Sequence, residues 1–183
     1  MGVAVAGIYE DPRAHAVRER YLDSCGGPEL PVPVEAIAED LLGLRVEESW
    51  EIDCSGMLLP AERRIVLNAA ESVADDGQPI RRSRFTIAHE IGHWVCHCLE
   101  GRAPAVAPFY CRPVDLTDTA DRTLEREANV FAAELLMPEP PVRGAWEELG
   151  DVDACAARFD VSPTAMHWRL FAFDLVKEKP LGD

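Results

Sequence analysis

Between Phe85 and Cys96 the chain places Phe85, Ile87, Ala88, Ile91, Trp94, Val95 and Cys96 at almost every angle around a helix. A helix that is apolar nearly all round belongs in the middle of a fold, with other elements packed on every side. Yet the same stretch carries His89, Glu90 and His93. Ionisable groups in such a setting require partners, and a metal ion is one that serves. Gly92 costs about 1 kcal/mol relative to alanine in a helix interior, so close approach of another backbone is the expected reason for it.

The spacing of the ionisable groups carries chemistry. Side chains four apart on a helix lie one above the other, so His89 and His93 can present their imidazoles to a single ion. Glu90, one position on, is turned so that its carboxylate sits beside the ion instead of on it. Neutral imidazoles suit zinc, and a catalytic zinc keeps one position open for water. Zinc brings the pKa of that water to about 7, and Glu90 is placed to take its proton during attack on a carbonyl. This is the H-E-x-x-H arrangement of metalloproteases. Ordinary core histidines are the competing explanation, but the chain has only five histidines and two fall at this spacing around a glutamate.

A third ligand must come from elsewhere. His97 continues the four-residue spacing, but eight residues separate it from His89, a rise of about 12 Å. Bonds near 2 Å cannot span that. His97 therefore supports a ligand, faces substrate, or closes the helix. A second long helix, expected from Thr119 to Met137 and stopped by Pro138, offers Glu125, Glu127 and Glu134. Its apolar stripe is Leu124, Ala128, Phe131 and Leu135. Glu125 and Glu127 flank that stripe on opposite sides, so at most one ligates; periodicity does not choose.

The remaining elements frame these two helices. Helices are expected at Arg13 to Asp23 and Val34 to Leu42, the second closed by Gly43. Strands follow at Leu44 to Glu47, Gly56 to Leu59 and Arg64 to Asn68, with Pro60 to Arg63 turning a hairpin. The metal helix should run from Ile80 to Leu99, followed by a loop from Gly101 to Asp118. The tail from Val142 to Val176 reads as helical throughout. The order gives an α+β domain with a small sheet, a central metal-binding helix and a helical C-terminal cap. The run Pro138-Glu139-Pro140-Pro141 suggests a boundary between residues 1–138 and 139–183, or a turn inside one compact body.

Composition narrows the setting. With 33 acidic against 18 basic residues the net charge is −15, which repels phosphate backbones and argues against nucleic-acid binding. No stretch approaches the roughly 18 apolar residues of a membrane span. The first ten residues lack a basic start and lead into Glu10-Asp11-Pro12, a poor secretory signal. Six cysteines without an export signal read as reduced thiols of a cytoplasmic protein.

The segments Arg84-Phe85-Thr86-Ile87-Ala88-His89-Glu90-Ile91-Gly92-His93 and Leu124 to Pro138 together resemble the ImmA/IrrE family of zinc metallo-endopeptidases. The hairpin from Gly56-Met57 through Ile65-Val66-Leu67-Asn68 and the run Pro31-Val32-Pro33-Val34 add to the likeness, which covers roughly residues 13 to 175. The resemblance implies a zincin-like fold, with His89, His93 and Glu125 as zinc ligands and Glu90 as the catalytic group. It selects Glu125 because gluzincin-like families place the third ligand first in an E-x-x-A-[D/N] pattern, matched here by Glu125, Ala128 and Asn129. Glu127 is then the fallback, and Asn129 would orient a ligand. The resemblance also implies cleavage of a cytoplasmic regulator, typically a helix-turn-helix repressor, in switching mobile-element or stress-response genes. A non-catalytic zinc-containing module that binds or senses such a repressor is the alternative.

Several features bear on substrate and regulation. Zincins hold extended peptides against a strand edge, for which Gly56 to Leu59 is the candidate. A donor to the tetrahedral intermediate is sought among Tyr110, Arg112 and His97. Cys96 and Cys98 point in different directions on a helix, so with Cys111 they read as small hydrophobes rather than a second metal or redox site; Cys54 is near enough to the strand to be considered as a zinc-silencing thiol. Ala154 to Leu170 has the outline of a helix-turn-helix. However, only Arg169 and a neutral His167 would face bases, so packing by Phe159, Met166, Trp168 and Leu170 is the expected role.

Overall fold

The structure is a computed structural model that describes residues 11–26, 30–72, 81–102, 109–110 and 119–180. Helix α1 (Pro12–Cys25) starts on Asp11, whose carboxylate accepts from the Arg13 backbone N–H, and ends on Gly26 with φ 63°. A short α2 (Val34–Ala36) widens into a π-helical turn at Ile37–Leu41. Strands β1 (Arg45–Ser49), β2 (Gly56–Leu59) and β3 (Arg64–Asn68) follow, then α3 (Ala69–Ser72). Next come α4 (Arg81–His93), which continues as a π-helical segment at Trp94–Cys98, and β4 (Phe109–Tyr110). Last are α5 (Thr119–Leu136), α6 (Glu139–Leu149), α7 (Val152–Phe159) and α8 (Pro163–Ala172). The α+β class expected from the sequence is what the chain adopts.

The sheet has the order β1-β3-β2-β4. β3 is central and its last four residues are buried, as a strand covered on both sides should be. β1 runs parallel to it, Val46 opposite Ile65, and β2 antiparallel, Leu58 opposite Ile65. The β2–β3 connection is a 3₁₀ turn over Pro60–Glu62 closed by Arg63 at φ 51°. The Arg63 guanidinium donates to the carbonyls of Leu42 and Gly43 at 2.6 and 3.3 Å, which ties the hairpin to the end of the second helix.

Two expectations are corrected. The stretch after Gly101 is not wholly loop, because Phe109 and Tyr110 form β4 opposite Leu58 and Met57. β2 is consequently an inner strand and not the free edge, since backbone groups of Met57 and Leu58 are already engaged by β4. A two-residue strand carries no hydrophobic period, which is why the sequence did not announce it.

α4 lies at the centre, with β2, β3 and α5 packed on it; Ile87, Ala88 and Ile91 are completely buried. The tail is helical as expected, in three helices, with the break expected at Asp160 to Pro163 falling between the last two. Gly150 at φ 60° ends α6 and Asp151 caps α7; Asp160 at φ 52° ends α7, and Ser162 with Pro163 starts α8. Among the described residues no helix is long and apolar enough to cross a membrane.

Candidate metal centre

The centre is built where α4 and α5 cross. Gly92 allows the crossing: a Cβ there would lie 3.0 Å from both the Cα and the carbonyl oxygen of Ala128. The close backbone approach expected from the sequence is therefore present. It brings the middle of α5 against the last turns of α4, so that Glu125 faces His89 and His93.

The Nε2 atoms of His89 and His93 are 3.0 Å apart. Glu125 Oε2 is 3.1 Å from His89 Nε2 and its Oε1 is 3.0 Å from His93 Nε2. Among the described residues these three form a group able to hold a metal ion. The fit is chemical as well as geometric. Two imidazole nitrogens and a carboxylate converge at separations a little under the ~3.3 Å edge of a tetrahedron with bonds of about 2.0–2.1 Å. The outward nitrogen of His89, Nδ1, lies 3.1 Å from Asn129 Oδ1. With Nε2 turned to an ion, Nδ1–H donates to that amide oxygen and fixes the ring.

Glu90 is fully buried, and neither carboxylate oxygen has a well-formed hydrogen bond. Its Oε1 lies under β2, 3.6 Å from where a Cβ on Gly56 would stand. Such a Cβ would meet Thr86 Cγ2 at 2.3 Å, so glycine at 56 is what lets the strand lie this close to the helix. Burial pushes the Glu90 carboxyl up to about 8; the neighbouring Glu125 adds to this, while His89 and the Leu58 backbone pull it down. Burial lowers His93 to about 4, leaving a neutral imidazole able to ligate at neutral pH. Burial alone would raise Glu125, but hydrogen bonds from His89 and His93 outweigh it and hold the carboxyl at about 2.

The other candidates go elsewhere. Glu127 pairs with Arg102 at 2.5 and 3.0 Å and reaches His97 Nε2 at 3.3 Å. Glu134 pairs with Arg169 at the far end of α5. His97 is fully buried against His93, Nδ1 to Nδ1 at 3.1 Å, so the position facing substrate is not its place. Tyr110 belongs to β4, opposite Met57; Arg112 and Cys111 lie outside the described residues. The Cys54 thiol donates to the Gly56 carbonyl at 3.3 Å and is not part of the His89–His93–Glu125 group. Cys96 is buried, with Sγ 3.9 Å from Asp11.

In the helix-turn-helix outline, Phe159, Met166 and Leu170 are fully buried as expected, whereas Trp168 is partly exposed. Arg169 is buried, donating to the Met137 carbonyl at 2.7 Å and paired with Glu134. It is pinned inside the fold, not presented to solvent. The sequence signals missed Arg102 altogether; nothing in local periodicity joins a residue beyond the helix end to a glutamate on another helix.

A small mixed sheet laid over a helix with two inward imidazoles, and an acid delivered by a second helix, is the layout of a metallopeptidase-like domain. Residues 55–171 match the Peptidase_M78 family, described as the IrrE N-terminal-like domain, and the chain belongs to that family. No curated protein is similar enough to count as a relative. A solved structure of a Mycobacterium tuberculosis transcriptional regulator is similar in fold, with a TM-score of 0.58 at 20% identity. The likeness covers 88% of this chain and 47% of that one, so the chain spans about half the length of that protein.

Proposed function

We propose that the chain is a zinc-dependent endopeptidase that cleaves a cytoplasmic regulatory protein, with His89, His93 and Glu125 holding the metal and Glu90 as general base. The observation that carries this is Glu90 itself: a buried carboxylate without a well-formed hydrogen bond, next to three converging ligand atoms. A purely structural site has no use for such a group, and a buried carboxyl this poorly hydrogen-bonded is costly to keep. When bound, zinc supplies Lewis acidity, acidifying water and polarising a carbonyl. With zinc beside it favouring the charged form, Glu90 is the carboxylate placed to accept the proton from the attacking water and return it to the leaving amine. His89 is kept in orientation by Asn129, and Glu125 closes the ligand set from the second helix. The peptide would be held in extended form along the β2–β4 side of the sheet.

A helix-turn-helix repressor is the proposed substrate, on the strength of the family resemblance. Replacing Glu90 by Gln should leave zinc at one per chain and abolish the appearance of new protein N-termini in host extracts. Cleavage undiminished by Glu90→Gln would sink the proposal.

The similar fold of a transcriptional regulator favours a second reading: a zinc-containing module that binds or senses a repressor without cutting it. Under that reading Glu90→Gln is silent in repressor binding and derepression, while His93→Ala is not.

A further inference from the structure

We propose that His97 and Glu127 are positioning residues for the metal centre: a hydrogen-bonded chain Arg102–Glu127–His97–His93 holds His93 in the tautomer that leaves Nε2 free to ligate. The proposal rests on the reading that His89, His93 and Glu125 hold zinc. His89 has Asn129 behind it, but His93 sits deeper, fully buried, with another histidine in that place. His93 Nδ1 and His97 Nδ1 are 3.1 Å apart. His97 Nε2 is 3.3 Å from Glu127 Oε2, and both oxygens of Glu127 accept from Arg102, at 2.5 and 3.0 Å.

The direction of every bond in this chain is fixed by the two ends. Glu127, paired with a guanidinium, is a carboxylate and only accepts, so His97 Nε2 carries the proton between them. His97 is then bare at Nδ1 and accepts, so His93 Nδ1 carries the proton. With an ion standing between His93, Glu125 and His89, Nε2 of His93 is then left as the lone pair that ligates it. An imidazole facing another imidazole has no preferred direction alone. The carboxylate two links away supplies it, in the manner of a carboxylate behind a ligating histidine.

Geometry explains why a second histidine is used. The helix widens at Trp94–Cys98, where Leu99 N bonds to Trp94 O at 3.0 Å and Arg102 N to His97 O at 2.8 Å, each spanning five residues. Glu127 lies over this segment, one turn of α4 beyond the ligands. A carboxylate there reaches His97 and not His93, and His97 bridges the gap.

The test uses the full chain loaded with zinc. Zinc affinity is measured by competition with a chromophoric chelator for wild type, His97→Phe and Glu127→Gln. Losing the supporting histidine is expected to weaken binding about 10–100-fold, with a smaller loss in the same direction for Glu127→Gln. A ¹⁵N-resolved imidazole spectrum of the zinc-loaded wild type is expected to show His97 protonated at Nε2 and bare at Nδ1. That signature requires no variant to fold. His97 found protonated at Nδ1 would overturn the chain, as would a normally folded His97→Phe that binds zinc as tightly as wild type. A wild-type chain that binds no zinc would overturn the metal reading itself, and the relay with it.

Discussion

A fully buried carboxyl with no well-formed hydrogen bond is the least comfortable group among the described residues, and its discomfort is measurable when the metal is removed. In the metal-free chain Glu90 titrates near 8, against an ordinary value near 4.5, because burial disfavours its charge. A carboxyl whose folded pKa is raised supports the folded state fully below its unfolded value. That support is lost as pH rises through the folded one. Between about pH 4.5 and 8 the metal-free protein therefore loses on the order of a few kcal/mol that a neutral side chain would retain. Glu90→Gln should melt at a higher temperature than wild type at pH 8 in the presence of a chelator, and the two should converge toward pH 4.5. Adding zinc should shrink the difference, since a cation beside Glu90 favours the charged form. Melting curves of the two chains that stay parallel across this range would refute the assignment. His93 works in the opposite sense: its pKa, lowered by burial to about 4, takes stability away as pH falls from about 6.5. Comparing wild type with Glu90→Gln cancels that contribution.

At the level of elements, the centre depends on how closely α4 and α5 approach, and Gly92 sets that distance. Alanine at 92 would gain about 1 kcal/mol in helix propensity. However, its Cβ would meet backbone atoms of Ala128 at 3.0 Å, which no rotamer change can relieve. α5 must move outward and take Glu125 with it. Gly92→Ala is expected to destabilise by about 1–3 kcal/mol as overpacking does, and to weaken zinc binding as well. Gly144 in α6 makes the control, because nothing lies within 4 Å of its added Cβ; Gly144→Ala should stabilise by about 0.5–1 kcal/mol. Denaturant midpoints and zinc titrations of both variants check the pair, and equal behaviour would mean that the crossing distance is immaterial. The same crossing marks the limit of what the sequence discloses. His89, Glu90 and His93 are legible because their relation is internal to one helix. The choice between Glu125 and Glu127 is not, for it depends on how α5 is rotated against α4. In the event both carboxylates turn to α4, one to the ligand pair and one to His97. Strands β2 and β3 showed through their short apolar runs and the hairpin turn between them. β4 did not, and with it went the identity of the sheet's edge.

Across the whole molecule, the question left by the Pro138-Glu139-Pro140-Pro141 run is whether residues 139–183 form a body of their own. One buried cluster runs from Ala14 in α1 through Ile91 and Phe131 to Phe159, Met166 and Leu170. Polar ties reinforce it. Arg84 on the metal helix donates to the carbonyls of Asp160 and Val32, at 3.2 and 2.8 Å, joining α7 and the segment before α2 to α4. Arg169 on α8 is buried against Glu134 on α5 and the Met137 carbonyl, and its guanidinium lies 4.3 Å from the Phe173 ring centre. Elements tied in this way should unfold together. In native-state hydrogen exchange the amides of Met166 and Leu170 are expected to open with the same free energy as those of Ile91 and Phe131. Arg169→Leu leaves the Glu134 charge buried without its guanidinium, a loss of about 3–5 kcal/mol. Because the cluster is continuous, that loss should appear undiminished at Ile91 on the metal helix, far along the chain from the substitution. The double replacement Arg169→Leu with Glu134→Leu should recover much of it, since the cost lies in the stranded charge and not in the missing pair. Protection that falls in α8 while Ile91 stays unchanged would instead make the C-terminal helices a separate unit resting on the metal-binding body.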